Sequence, residues 1–137
     1  MQRGSADNLD ASVPGNGLVR LTNAAVMIGF LVCFPFALLG GAIAWYQAGR
    51  ARGWQAGHYQ VARRTVAVGI CALLAFAAAL AIVLLLAGED FIADFVLTTL
   101  PLLLVLVIWG VVRSIRCLNL AFGSEPVARP ASWGFLP

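Results

Sequence analysis

His58 is the single histidine in a chain of 137 residues, and an imidazole with a reference pKa near 6.5 can exchange a proton in the physiological range. It stands among Trp54, Tyr59, Arg63 and Arg64, a setting in which a lone histidine serves structure more readily than proton transfer. Asp94 is the nearest approach to an acid inside an apolar stretch, and such residues are functional suspects by default. Its place at the edge of that stretch reads as a helix-end charge at headgroup depth. Thr98 and Thr99 beside Pro101 could line a polar path, yet hydroxyls at such positions commonly satisfy backbone groups freed by a proline. Cys33, Cys71 and Cys117 are an odd number with no close pair, which points to neither a disulfide framework nor a zinc site and leaves them as small hydrophobes. With no glycine-rich phosphate loop, paired carboxylates or nucleophile elbow, the expectation is no enzyme, no metal and no cofactor.

The elements that would position these residues are long and greasy. Residues 24–46, 65–87 and 95–112 are runs of 23, 23 and 18 residues free of Asp, Glu, Arg and Lys, against the roughly 20 that a bilayer-crossing helix needs. The chain is 61% hydrophobic and 11% charged, with a mean hydropathy of +0.91, too little polar surface to wrap a soluble core. A net charge of +3 could suggest nucleic acid, but a nucleic-acid binder gathers its bases on one exposed face with polar or aromatic readers between them; here the arginines flank the apolar runs. All nine basic residues are Arg, which reads as codon bias in a GC-rich genome. The expected fold is therefore all-α and integral to a membrane, with three transmembrane helices.

Charge orients these helices. Residues 47–64 carry Arg50, Arg52, Arg63 and Arg64 with no acid, and the segment after Val112 carries Arg113, Arg116 and Arg129 against Glu125; both belong on the cytoplasmic side. The connection holding Glu89, Asp90 and Asp94 and the tail that balances Arg3 and Arg20 with Asp7 and Asp10 belong outside. Three crossings then give N-out, C-in. On that arrangement Cys33 and Cys71 differ in depth by about 10 Å, too far to bridge. A cleaved signal peptide ending near Ala42-Ile43-Ala44 is the rival for the first run, but its apolar core exceeds the roughly 7 to 15 residues of such signals.

Residues 1–17, rich in Ser, Asn, Asp, Gly and Pro, read as a disordered tail, residues 18–122 as the membrane domain and residues 123–137 as an extended cytoplasmic tail. Pro35 with Gly29, Gly40 and Gly41 permits a kink and the close approach of a neighbour in the first helix. Trp54, His58 and Val61 fall at i, i+4 and i+7, opposite Arg52, Gln55 and Arg63, which suits a short amphipathic helix on the cytoplasmic surface; Gly53 and Gly57 weaken it, and an irregular loop is the alternative. In the second run Gly69, Ala72, Ala75 and Ala79 form a helix-packing face. Gly88, Glu89 and Asp90 make a tight turn into the third helix, which continues to about Phe122 with Gly123 as its stop. Pro126 and Pro130 keep the remainder extended.

Trp54, His58-Tyr59, Arg64-Thr65 at the start of a span, then Trp109, Arg113, Arg116, Leu118, Gly123, Pro126, Pro130 and Trp133 together resemble an uncharacterised family of small bacterial inner-membrane proteins. That family is distantly similar to a small membrane subunit of the chloroplast protein-import translocon. The likeness covers residues 18–135, and its most specific part is the ending Gly-Ser-Glu-Pro-Val-Ala-Arg-Pro-Ala-Ser-Trp, residues 123–133. The chain departs from the pattern at Ala62, where Gln is usual, and at Cys117, where Gly is usual. The resemblance implies a compact helical bundle with a basic cytoplasmic face and no established activity. In physical terms Trp54, His58, Tyr59, Arg64, Trp109, Arg113, Arg116 and Trp133 are candidates to face anionic lipid or a partner, since each Arg near an anionic leaflet contributes about 1 kcal/mol. The expectation is a multi-pass protein of the bacterial inner membrane, a non-enzymatic accessory subunit that associates with itself or with a larger membrane complex, or else a component of a transport or channel assembly.

Overall fold

A proline at the fourth position after an apolar helix decides the architecture. The computed structural model describes residues 16–87, 89–128 and 130, and among them every regular element is helical: α1 (Asn16–Leu31), α2 (Phe34–Gln47), α3 (Trp54–Leu86), a 3-10 turn (Glu89–Phe91) and α4 (Ile92–Phe122). The single helix expected over residues 24–46 is two. Pro35 has no N–H to donate to a preceding turn and its ring would clash with the carbonyl four residues back. The chain therefore leaves the helix at Val32, passes through an extended Cys33 (φ −157°, ψ 108°) and restarts with Pro35 in the first turn of α2, where a missing N–H costs nothing.

The break is a reversal, not a kink. A Cβ on Gly29 would overlap the backbone of Ala37, and one on Gly40 would sit 2.7 Å from Val26 Cγ2 and 2.9 Å from Thr22 O. Contacts that run backwards along α1 as they run forwards along α2 make the two an antiparallel hairpin, packed backbone to backbone because the crossing points are glycines. At about 1.5 Å per residue, the 16 and 14 residues of α1 and α2 reach only about 24 and 21 Å.

The α3–α4 pair is a second, longer antiparallel hairpin turned at Glu89–Phe91, as the acidic connection predicts, with Phe76 stacked on Phe95 at a centroid distance of 5.7 Å. These two helices, of 33 and 31 residues, are long and apolar enough to cross a membrane. The short hairpin lies against one half of the long one. Phe30 and Phe34 at its tip reach Gly69, and Phe30 reaches Gly110, while the far halves of α3 and α4 are almost wholly exposed. Its open end meets the other end of α4: Arg20 Nε donates to Ala121 O at 3.2 Å and its Nη2 to Phe122 O at 3.3 Å. Three crossings would put the start of α1 and the end of α4 at opposite ends of the molecule; the structure puts them side by side.

Two further expectations change. Trp54–Arg63 is helical but is not a separate surface helix; it forms the opening turns of α3, with His58, Tyr59, Val61 and Ala62 buried. Gly53 does not weaken it from within, because it is the residue before the helix, at φ 62° and ψ −140°, a conformation open essentially to glycine alone. Helix α4 ends at Phe122 as expected, yet the left-handed residue of the turn is Ser124 (φ 55°), not Gly123.

Candidate functional site

The residues singled out in sequence gather at one end of the molecule, where α3 begins, α4 ends and the α1–α2 hairpin opens. Arg50, Arg52, Arg63, Arg64, Arg113 and Arg116 all belong to this end, and Arg20 joins them through its bonds to the α4 terminus. There it does what a cation does best near a helix C-terminus, adding a donor to the last carbonyls and meeting the negative pole of the helix. Its guanidinium also lies 5.0 Å from the Phe122 ring centroid. Arg50 repeats the device on α2, donating from Nη1 to Tyr46 O at 3.1 Å while lying over the Tyr46 ring at 3.8 Å, and Arg63 lies 5.4 Å from the Trp45 ring centroid. Trp45 and Tyr46 are exposed, so an aromatic collar surrounds the basic end.

Inside this collar is a polar seam. Arg113 is 1% exposed; its Nε donates to Thr65 Oγ1 at 3.1 Å, and the Thr65 hydroxyl donates to Val61 O at 2.9 Å. The Trp109 ring centroid lies 5.6 Å from the guanidinium carbon, within cation–π range. About two turns from Thr65 toward the foot of α3, His58 is fully buried, with its Nε2 3.0 Å from Glu125 O and its ring edge-on to Trp54 at 5.2 Å. A carbonyl only accepts, so Nε2 carries the proton in that bond. Nδ1 is buried and has no partner among the described residues. His58 precedes the apolar run by seven residues, and desolvation holds its pKa below the usual histidine value, partly offset by the Glu125 carbonyl.

Cys117, beyond the apolar run of α4, is completely buried beside Val61 and Val127, and burial pushes its thiol up to about 12. It stays protonated and unreactive. Val127 is 7% exposed, so the chain just after α4 packs back onto α3 at Val61.

Of the eight proposed lipid- or partner-facing residues, His58, Tyr59 and Arg113 are interior and cannot present themselves outward. Trp54, Arg64 and Trp109 are half-buried and Arg116 is exposed; Trp133 lies outside the described residues. Of the packing face, Gly69 is buried against Phe30 and Phe34. Ala72, Ala75 and Ala79 meet no third helix; with Phe76, Phe95, Leu102, Leu106 and Trp109 they line an open apolar groove of about 560 Å³ between the far halves of α3 and α4. The Thr98 and Thr99 hydroxyls donate to Asp94 O and Phe95 O, each at 2.7 Å, one turn back along their own helix. Sequence reasoning missed Arg20, Thr65 and Gln55, whose Nε2 donates to Asn16 Oδ1 at 3.2 Å; the Arg just ahead of the first apolar run was the available signal.

Among the described residues no group of three or more His, Cys, Asp or Glu side chains could hold a metal ion. No protein-family model, curated protein or solved structure matches this chain.

Proposed function

We propose that this protein is a small, non-enzymatic subunit of the bacterial inner membrane that crosses the bilayer twice, through α3 and α4, and dips into it once with the α1–α2 hairpin. The observation that carries this reading is the segregation of charge along two continuous apolar helices. The seven arginines at positions 20 to 116 stand at one end, and Glu89, Asp90 and Asp94 at the other. Basic ends face the cytoplasm, so both ends of the described chain belong there, and this replaces the N-out arrangement. At about 1.5 Å per residue, α3 and α4 exceed a hydrocarbon core of roughly 30 Å. The surplus accommodates residues 54–64 and 113–122, where the polar seam is shielded from lipid by the hairpin.

The protein acts by association, on this reading, through the apolar far halves of α3 and α4 and the basic face bearing Arg64 and Arg116. A bilayer supports either lipid or a partner against such a surface. Affinity purification in mild detergent decides: a stoichiometric partner or a defined oligomer is expected, and recovery of monomer with lipid alone refutes association. Reporter fusions before Asn16 and after Pro137 test the topology, and are both expected on the cytoplasmic side.

One observation favours a transport or channel component: a helical hairpin that ends part-way into the hydrocarbon is tolerated where its tip is covered by protein or lines a cavity. Against it, Thr98 and Thr99 spend their hydroxyls on their own backbone. Ion or solute flux in reconstituted vesicles, lost on Asp94→Asn or Thr98→Val, would establish that alternative.

A further inference from the structure

We propose that residues 124–128 form a proton-operated strap, closed over the foot of α3 while His58 is neutral and released when the ring takes up a second proton. The strap is built by the turn at Ser124 (φ 55°) and the return bond from Glu125 N to Leu120 O at 2.9 Å. It is then held by two contacts. The Glu125 carbonyl accepts the His58 Nε2 proton at 3.0 Å, and Val127 settles over Val61 and Cys117. It passes over Gly57, where an added Cβ would stand 3.4 Å from Val127 Cβ, in ordinary van der Waals contact.

The ring that fastens the strap is also the group least able to bear charge where it is. His58 is 0% exposed and its Nδ1 has no partner among the described residues. A second proton would place a donor and a full charge on that side, with no acceptor to receive them. Opening the strap is the smallest movement that brings water to the ring. The charged and titratable groups at this end of the surrounding elements are Tyr59, Arg63 and Arg64 on α3, Arg113, Arg116 and Cys117 on α4, Arg20 at the α4 terminus and the Glu125 carboxylate on the strap. Cys117 stays protonated across the relevant range, its thiol pushed up to about 12 by burial, and Glu125 fastens the strap through its backbone carbonyl, so the protonation of His58 is what operates it.

If the open strap returns His58 to a pKa near 6.5 while the closed one excludes the proton, the opening equilibrium grows about tenfold between pH 7.5 and pH 5.5. Opening uncovers Cys117, whose alkylation by N-ethylmaleimide, followed by mass spectrometry of the peptide that carries it, reads the strap in the full-length protein in detergent. The rate is divided by that of His58→Gln at the same pH, which cancels the change in thiolate fraction; Gln keeps a donor for the Glu125 carbonyl and cannot titrate. The ratio is expected to rise about tenfold from pH 7.5 to pH 5.5, and to do so equally in Glu125→Gln. A flat ratio, or one flattened by Glu125→Gln, overturns the proposal. Should His58→Gln fail to fold, NMR titration of His58 in the intact chain and in Val127→Asp replaces it. A midpoint clearly below 6.5 in the former and near 6.5 in the latter is expected, and equal midpoints overturn the strap.

Discussion

Gly110→Ala tests the hairpin architecture at its tightest point. A Cβ added there would lie 2.5 to 2.8 Å from three atoms of the Phe30 ring, where ordinary carbon contacts begin near 3.5 Å. The ring has to yield by about 1 Å, and its surroundings oppose that: its Cζ stands 2.9 Å from the Cβ position of Gly69 on α3, and Phe34 meets it edge-on at 6.0 Å. Overpacking of this kind costs about 1 to 3 kcal/mol, and a ring wedged between two helices belongs in the upper part of that range. Replacing Gly by Ala inside a helix returns up to about 1 kcal/mol. The net expectation is a loss of about 1 to 2 kcal/mol, read from reversible SDS or thermal unfolding in micelles by circular dichroism. In a Phe30→Ala background the obstacle is gone and only the helical gain remains, so the same substitution should there be neutral or stabilising. That change of sign separates this fold from three successive crossings, in which nothing requires Phe30 to meet Gly110. If Gly110→Ala is neutral in the native background, or costs the same in both, the α1–α2 hairpin is not where it is described.

Thr65→Val keeps shape and removes the acceptor of the buried Arg113 Nε; we expect a loss of about 1.5 to 3 kcal/mol, the range for a hydrogen bond to a charged group, measured by the same unfolding assay, and a neutral result would mean the guanidinium does not depend on Thr65. For pH, the sign follows from His58 having its folded pKa lowered by desolvation. Its contribution is fully present above about pH 6.5 and is lost as pH falls from there toward the folded value, because over that window the unfolded chain binds a proton that the folded chain refuses. Stability should therefore drop below pH 6.5 by at most about 1.4 kcal/mol per pH unit, and His58→Gln should remove that part of the slope; an unchanged slope would place the titration elsewhere.

Much of the fold is legible from residue types. The apolar runs at 65–87 and 95–112, the acidic turn between them and the continuation of α4 to Phe122 follow from hydropathy and 3.6-residue spacing, and all appear in the structure. What misleads is the run at 24–46. Hydropathy measures how apolar a segment is and says nothing of its direction, so 23 apolar residues score as one crossing whether or not the chain turns within them. Pro35 was visible, but a proline inside an apolar helix reads equally as a kink. The choice of reversal depends on Gly29 and Gly40 meeting Ala37, Val26 and Thr22 across the hairpin, a tertiary fact. The site fails in the same way. Trp54, His58, Tyr59 and Arg113 read as belonging together, but a residue's type does not say whether it faces out: the hairpin packs over Tyr59, the segment after α4 closes over His58, and Arg113 turns inward to Thr65.

On the proposed arrangement in the membrane, the polar residues of α1 account for a hairpin that enters from the basic end. Asn16, Thr22 and Asn23 are all buried, which would be costly in a helix pushed through hydrocarbon unless each had a partner. Thr22 Oγ1 donates to Leu18 O at 2.8 Å, Asn23 Nδ2 donates to Val19 O at 2.9 Å, and Asn16 accepts from Gln55 at 3.2 Å. All three lie in the first half of α1, the part nearest the arginines, whereas the tip carries Phe30, Leu31, Val32 and Phe34. The hairpin is thus graded along its length, polar and internally satisfied where it leaves the basic end, aromatic and aliphatic where it wedges against Gly69 and Gly110. A segment meant to cross would put its polar positions at both ends; one meant to return puts them at the single end from which it starts.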